Sequence, residues 1–178
     1  MRSRFHTSGR LIAVAGALFA VLAHAGTPAE DAYAAAQEWA RAVTARDVDT
    51  QVKMLPKALF ARPDSMERER KMRQHDKEMA VINGEKYLSF EVQPAPSNLS
   101  GTVGKMSVLV FPYRSVLQTR DGKMQRDSYL VAVAEGGSSS WSVMDGSGQS
   151  MRSIKVFVPG YAGVPPVPPA MTKMLKAE

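Results

Sequence analysis

Residues 106–134 read MSVLVFPYRSVLQTRDGKMQRDSYLVAVA, and the fold turns on how this stretch pairs with itself. Met106 to Phe111 is apolar on both faces, the pattern of a central strand. Pro112 brings no backbone N–H to a ladder, so a bulge or bend is expected there. The strand resumes through Val116 to Thr119, and Asp121-Gly122 is a two-residue hairpin signal. Ser128 to Ala134 then returns with Tyr129, Val131 and Val133 on one face.

Toward the C-terminus, Gly136-Gly137-Ser138 turns again, and Trp141 and Val143 lead into Asp145-Gly146. A short amphipathic segment, Met151 to Val158, closes a domain expected over residues 26–160. Beyond it, residues 161–178 carry the run Pro165-Pro166-Val167-Pro168-Pro169, which reads as an extended polyproline arm or loose tail. Toward the N-terminus, Leu88, Phe90 and Val92 alternate with polar neighbours until Pro94 and Pro96, and Ala95 to Gly104 reads as a loop.

Everything before Glu85 has a helical period. Thr27 caps a helix with Pro28 at its first position and Glu30 completing a capping box, and Ala32, Ala36, Trp39 and Val43 form its apolar stripe. Asp47 starts a second helix with the stripe Val48, Val52 and Leu55, ended by Pro56. Pro63-Asp64-Ser65 opens a third, ended by Asn83-Gly84, on which only a narrow Met66, Met72, Met79 side is available for burial. Three helices followed by an antiparallel meander predict an α+β fold, with N-terminal helices packed on a curved, cone-like antiparallel sheet.

The chain has 178 residues, 44% hydrophobic and 22% charged, the composition of a folded globular protein rather than a disordered or multispan one. It contains no cysteine, which excludes disulfides, thiolate metal sites and thiol nucleophiles. The first 25 residues look like an export signal. Arg2, Arg4 and Arg10 precede an apolar run from Leu11 to Leu22, and Ala23-His24-Ala25 supplies the small residues of a peptidase site. The run is too short to span a bilayer, which takes about 20 residues. Cleavage between Ala25 and Gly26 is expected, releasing a soluble periplasmic or secreted protein with no membrane anchor. Losing those three arginines lowers the net charge from +6 to +3, which gives no argument for nucleic acid. A disulfide-free exported domain of this size suits a bacterial periplasm.

The order of elements, with Asp121-Gly122-Lys123, Ser128-Tyr129-Leu130, Gly136-Gly137, Trp141 and Asp145-Gly146, resembles the ketosteroid-isomerase-like cone fold of the nuclear transport factor superfamily. It is also similar to exported bacterial proteins of that shape. The resemblance spans residues 27–158, and the long, charged third helix departs from it. It implies a cavity between helix and sheet and, in catalytic relatives, a pocket acid working with tyrosine donors.

Asp145 is the candidate for that acid, with Tyr113 and Tyr129 as donors, because a carboxylate in an apolar cavity is desolvated and suited to proton transfer. The competing reading makes Asp145-Gly146-Ser147-Gly148 an ordinary turn with the aspartate on backbone amides. His75, among Arg73, Asp76, Lys77 and Glu78, is a general-base candidate whose simpler reading is a solvated surface imidazole. One histidine in the mature chain and no cysteine give no metal site, and no glycine-rich loop points to a phosphate-bearing cofactor. Arg68, Arg70, Lys71 and Arg73 alternate with Glu67, Glu69, Asp76 and Glu78, a self-paired solvated face. Trp39, Phe90, Phe111 and Trp141 read as core.

With no convergent nucleophile, base and oxyanion donors, the expected function is non-catalytic binding of a small apolar ligand or a periplasmic protein partner. One alternative is a cofactor-free isomerase or dehydratase using Asp145. The other is an inhibitor or immunity protein, and exposed strand surface is compatible with a homodimer.

Overall fold

The computed structural model describes residues 27–136, 138–146, 151–163 and 165–175, with no side-chain detail at 151–153. The proposed leader and its Ala25–Gly26 cleavage point lie outside them. Among the described residues no helix is long and apolar enough to cross a membrane.

The first helix, α1 (Pro28–Thr44), starts as its capping box dictates: Glu30 N–H donates to Thr27 Oγ1 at 3.3 Å, and Thr27 N–H donates to Glu30 Oε2 at 2.6 Å. Its small stripe lets it lie close to the sheet, with Ala32, Ala36 and Trp39 fully buried. Next come α2 (Val48–Met54) and α3 (Ser65–Ile82). No residue of α3 is buried, and Met66, Met72 and Met79, the side expected to face the core, are all exposed. The reason is composition: a helix this charged has too little apolar area to offset dehydrating its ionic neighbours.

The six strands are β1 (Lys86–Val92), β2 (Ser100–Val103), β3 (Met106–Thr119), β4 (Gly122–Glu135), β5 (Ser142–Asp145) and β6 (Met171–Met174). They form one antiparallel sheet ordered β1-β3-β4-β5, with β2 also on β3 and β6 also on β4. The sheet is open. Its helix α4 (Met151–Phe157) sits between β5 and β6 in the chain.

The β3–β4 hairpin is regular from Met106↔Glu135 to Thr119↔Gly122, so the break expected at Pro112 does not occur. Pro112 lies where β1 has ended and β2 has not begun, and its carbonyl accepts from Gln93 N–H at 2.8 Å on that side. In an antiparallel strand a residue's N–H and C=O face the same neighbour, so the missing donor points away from β4 and costs that ladder nothing. The hairpin loop is Arg120-Asp121, one residue earlier than the Asp-Gly pair suggests, with Gly122 opening β4 at φ +125°.

Three further departures matter. The loop expected over Ala95–Gly104 contains β2, which continues the edge that β1 leaves. A register shift between Tyr87 and Ser89 bulges Leu88 outward, 47% exposed, and breaks the expected Leu88-Phe90-Val92 alternation. The segment read as a Pro-rich arm or tail runs back along the molecule: Tyr161 is 1% exposed, and residues 171–174 pair with Met124–Asp127 of β4.

Alternation along β3 and β4 divides the core. Leu109, Phe111, Tyr113, Leu130 and Ala132 share the face toward α1, where the Tyr33 and Phe111 rings are 5.9 Å apart. Val108, Val110, Tyr129, Val131 and Val133 point the other way and are also buried. Each large apolar side chain so enclosed contributes about 1.5–3 kcal/mol, so the hairpin is the stabilising centre.

Candidate functional site

The Leu88 bulge has a direct consequence for chemistry. By displacing one residue, it puts Tyr87 and Phe90, three positions apart, on the same helix-facing side. The rings of Tyr87 and Phe90 are 5.8 Å apart, and Phe90 stacks on Tyr113 at 4.5 Å. Tyr113 Oη then donates toward Asp145, 3.3 Å from Oδ1 and 3.4 Å from Oδ2. One face of the sheet thus carries an aromatic row ending on a half-buried carboxylate.

Of the sequence-derived candidates, Tyr113 and Asp145 meet and Tyr129 does not join them. Asp145 ends β5 opposite Leu130, so it shares the face of Tyr113, and Tyr129, the residue before Leu130, projects to the opposite face. There its ring lies against Gly146, where an added Cβ would fall 1.9 Å from Cε2. Burial raises the Tyr129 phenol above its ordinary pKa, with Tyr161 and Asp145 adding to the effect. Directly across from Tyr113, Ser128 Oγ is buried with no hydrogen-bond partner among the described residues. His75 is exposed on α3, as a solvated imidazole would be. The charged helix pairs with itself through Arg68–Asp64, Lys71–Glu67 and Arg73–Glu69.

The other end of the row opens into a cleft of 220 Å³ between α1, α2, α3 and the sheet. Its apolar lining is Val43, Val48, Ala80, Leu117 and the Tyr87 ring. Asp145 is not part of this lining. Two arginines build the walls. Arg46 follows the C-cap of α1 at φ +54°, where Asp47 N–H reaches Ala42 O at 2.9 Å and Arg46 N–H reaches Val43 O at 3.1 Å. That is a Schellman end, usually made by glycine. A side chain here carries backbone strain, and the Arg46 guanidinium offsets it by donating to the carbonyls of Lys77 and Glu85. It thereby ties α1 to the junction of α3 and β1. Arg73 donates to Glu69 at 2.7 Å and Gln51 at 2.8 Å, and lies 5.2 Å above the Trp39 ring.

Tyr87 stands at the cleft end of the aromatic row. Its phenol is raised above the ordinary tyrosine range, first by burial and then by Asp145 and Glu85, while Arg126 and Arg46 pull the other way. Sequence reading passed over Tyr87 because it falls out of phase with Leu88, Phe90 and Val92, and only the bulge brings it inward. Arg46 carried no signal, since the αL position is one where glycine is the expected residue. A second cleft, 500 Å³, lies between α1, α2 and residues 139–141, with Asp31, Glu38, Arg41 and Lys53 on its walls. Trp141 lines it, although the indole Nε1 is buried and has no partner among the described residues.

No protein-family model, curated protein or solved structure matches this chain, so the geometry alone carries its functional reading.

Proposed function

We propose that this chain is an exported, soluble periplasmic protein that binds one small, mostly apolar molecule between its N-terminal helices and its sheet. The 220 Å³ cleft over Leu117 and Tyr87 carries the proposal. Its size decides the scale of the ligand. Drug-sized sites occupy roughly 300–1,000 Å³, whereas an apolar cavity of about 150 Å³ takes a single benzene ring. A substituted ring or a short chain is therefore the fit. Native mass spectrometry of the protein purified from its own host is expected to reveal one retained small mass per chain. Loss of that mass in Leu117→Trp, which fills the floor, supports this location. A host-derived protein partner in its place would redirect the reading to the sheet surface.

A second reading, the cofactor-free isomerase or dehydratase, is favoured by the Tyr113–Asp145 contact. In it the Asp145 carboxylate takes a proton from substrate carbon while Tyr113 donates to the substrate oxygen. At 3.3–3.4 Å the contact is longer than a tight O–H···O⁻ bond of about 2.5–2.7 Å. The hydroxyl nevertheless already faces the carboxylate, so substrate would have to come between them. Asp145→Asn separates the readings: it removes turnover in an enzyme and leaves retention of the small molecule unchanged in a binder. The resemblance to the ketosteroid-isomerase-like cone fold agrees with either.

A further inference from the structure

The charges and the one phenol in the cleft wall say what kind of small molecule fits, an inference that rests on reading this cleft as a ligand site. Five charged residues line it: Arg46, Arg73 and Lys77 against Asp76 and Glu85. Arg73 is matched by Glu69, which leaves two cations and two carboxylates in the lining. A site with no net charge gives no Coulombic reward for a carboxylate or an ammonium, while either ion would pay for leaving water on entering among Val43, Val48, Ala80 and Leu117. The ligand is therefore neutral.

Tyr87 is the one aromatic residue of the lining, and its hydroxyl makes no hydrogen bond among the described residues. The other uncharged polar side chain of the lining, Gln51, is committed: its Nε2 donates to Ala42 O at 3.1 Å and its Oε1 accepts from Arg73. Arg46 is held against the cleft wall by its bonds to two backbone carbonyls. We infer that Tyr87 is the polar anchor of this cleft and that its ligand is a small neutral ring or chain bearing a carbonyl or hydroxyl oxygen. A tyrosine phenol is protonated through the physiological range, and burial moves it further in that direction, so it is available as a donor. A polar group that must be desolvated on binding discriminates against ligands that leave it unpaired.

Three probes of similar size test this on the full chain: acetophenone, its isostere α-methylstyrene without the oxygen, and benzoate. Affinities come from NMR titration, with methyl shifts of Val43, Val48 and Leu117 reporting the location. The expected order is acetophenone about three- to tenfold tighter than α-methylstyrene, with benzoate weakest. Tyr87→Phe, which keeps the ring against Phe90, is expected to erase the acetophenone advantage and leave α-methylstyrene unchanged. Equal affinities in the native chain, benzoate binding tightest, or an advantage that survives Tyr87→Phe each overturn Tyr87 as the anchor while leaving the cleft as a site. Absence of saturable shifts at the three methyl-bearing residues with every probe overturns the anchor and the cleft together.

Discussion

The β3–β4 hairpin and helix α3 are both long elements, and they are built on opposite terms. The hairpin is buried at Val108 to Phe111 and from Ser128 to Ala134, and its pairing is uninterrupted over both strands. Helix α3 has 18 residues and no buried side chain, and it holds its place through Arg46, Arg70, Arg73 and Arg120. The stabilising contacts therefore lie in the sheet, while the wall of the cleft is a lightly attached helix. A wall held by polar ties rather than by buried side chains can admit a ligand without opening the core.

That contrast breaks most visibly at a core position. Leu130→Ala in β4 is expected to cost about 2–5 kcal/mol, because Leu130 is fully enclosed and the surrounding sheet cannot collapse into the space. Met72→Ala on α3, 52% exposed, is expected to stay within about 0.5 kcal/mol. Urea unfolding of the two variants reads the difference directly, and comparable losses would remove the distinction.

Arg46 sharpens it at an intermediate scale. Arg46→Ala keeps the left-handed strain and loses the tie to α3, whereas Arg46→Gly loses the tie and the strain together. The glycine variant is expected to be the more stable of the two by about 1 kcal/mol. In both, hydrogen exchange at the C-terminal end of α3 is expected to speed up while β3 and β4 keep their protection.

The smallest effect belongs to a solvated cross-strand pair midway along the hairpin. Arg114 Nε donates to Asp127 Oδ1 at 2.6 Å, and this hydrogen bond lowers the Asp127 pKa below the usual aspartate value. A carboxylate depressed in the folded state contributes stability above its unfolded pKa of about 3.9, and that contribution disappears as pH falls through the folded value. Asp127→Asn is therefore expected to lower the melting temperature slightly near pH 6 and to match the native chain in strong acid. Because the Arg114 side chain is 54% exposed, the shift is expected to shrink in high salt.

Legibility in the sequence follows the same division. The hairpin could be read because two apolar runs flank a turn signal, and α1 because its capping box and alanine stripe leave one arrangement. Tyr113 and Asp145 were legible as partners only through a family resemblance, and the face they share depends on register. The Leu88 bulge leaves no mark in a period of two, yet it decides that Tyr87 faces the cleft. Strands β2 and β6 are four residues each, too short for alternation to stand out, and β6 follows a proline run whose composition suggests a tail. The methionines of α3 have helical spacing, but spacing alone does not bury a side among eighteen mostly polar residues.

Methyl-resolved NMR with acetophenone added to the full chain tests the central claim most directly. A saturable response confined to Val43, Val48 and Leu117, with Val110 and Val131 of the core unmoved, is the result this account predicts. A response centred on Met54 in the larger polar cleft, or no saturable response at any of these methyls, would contradict it.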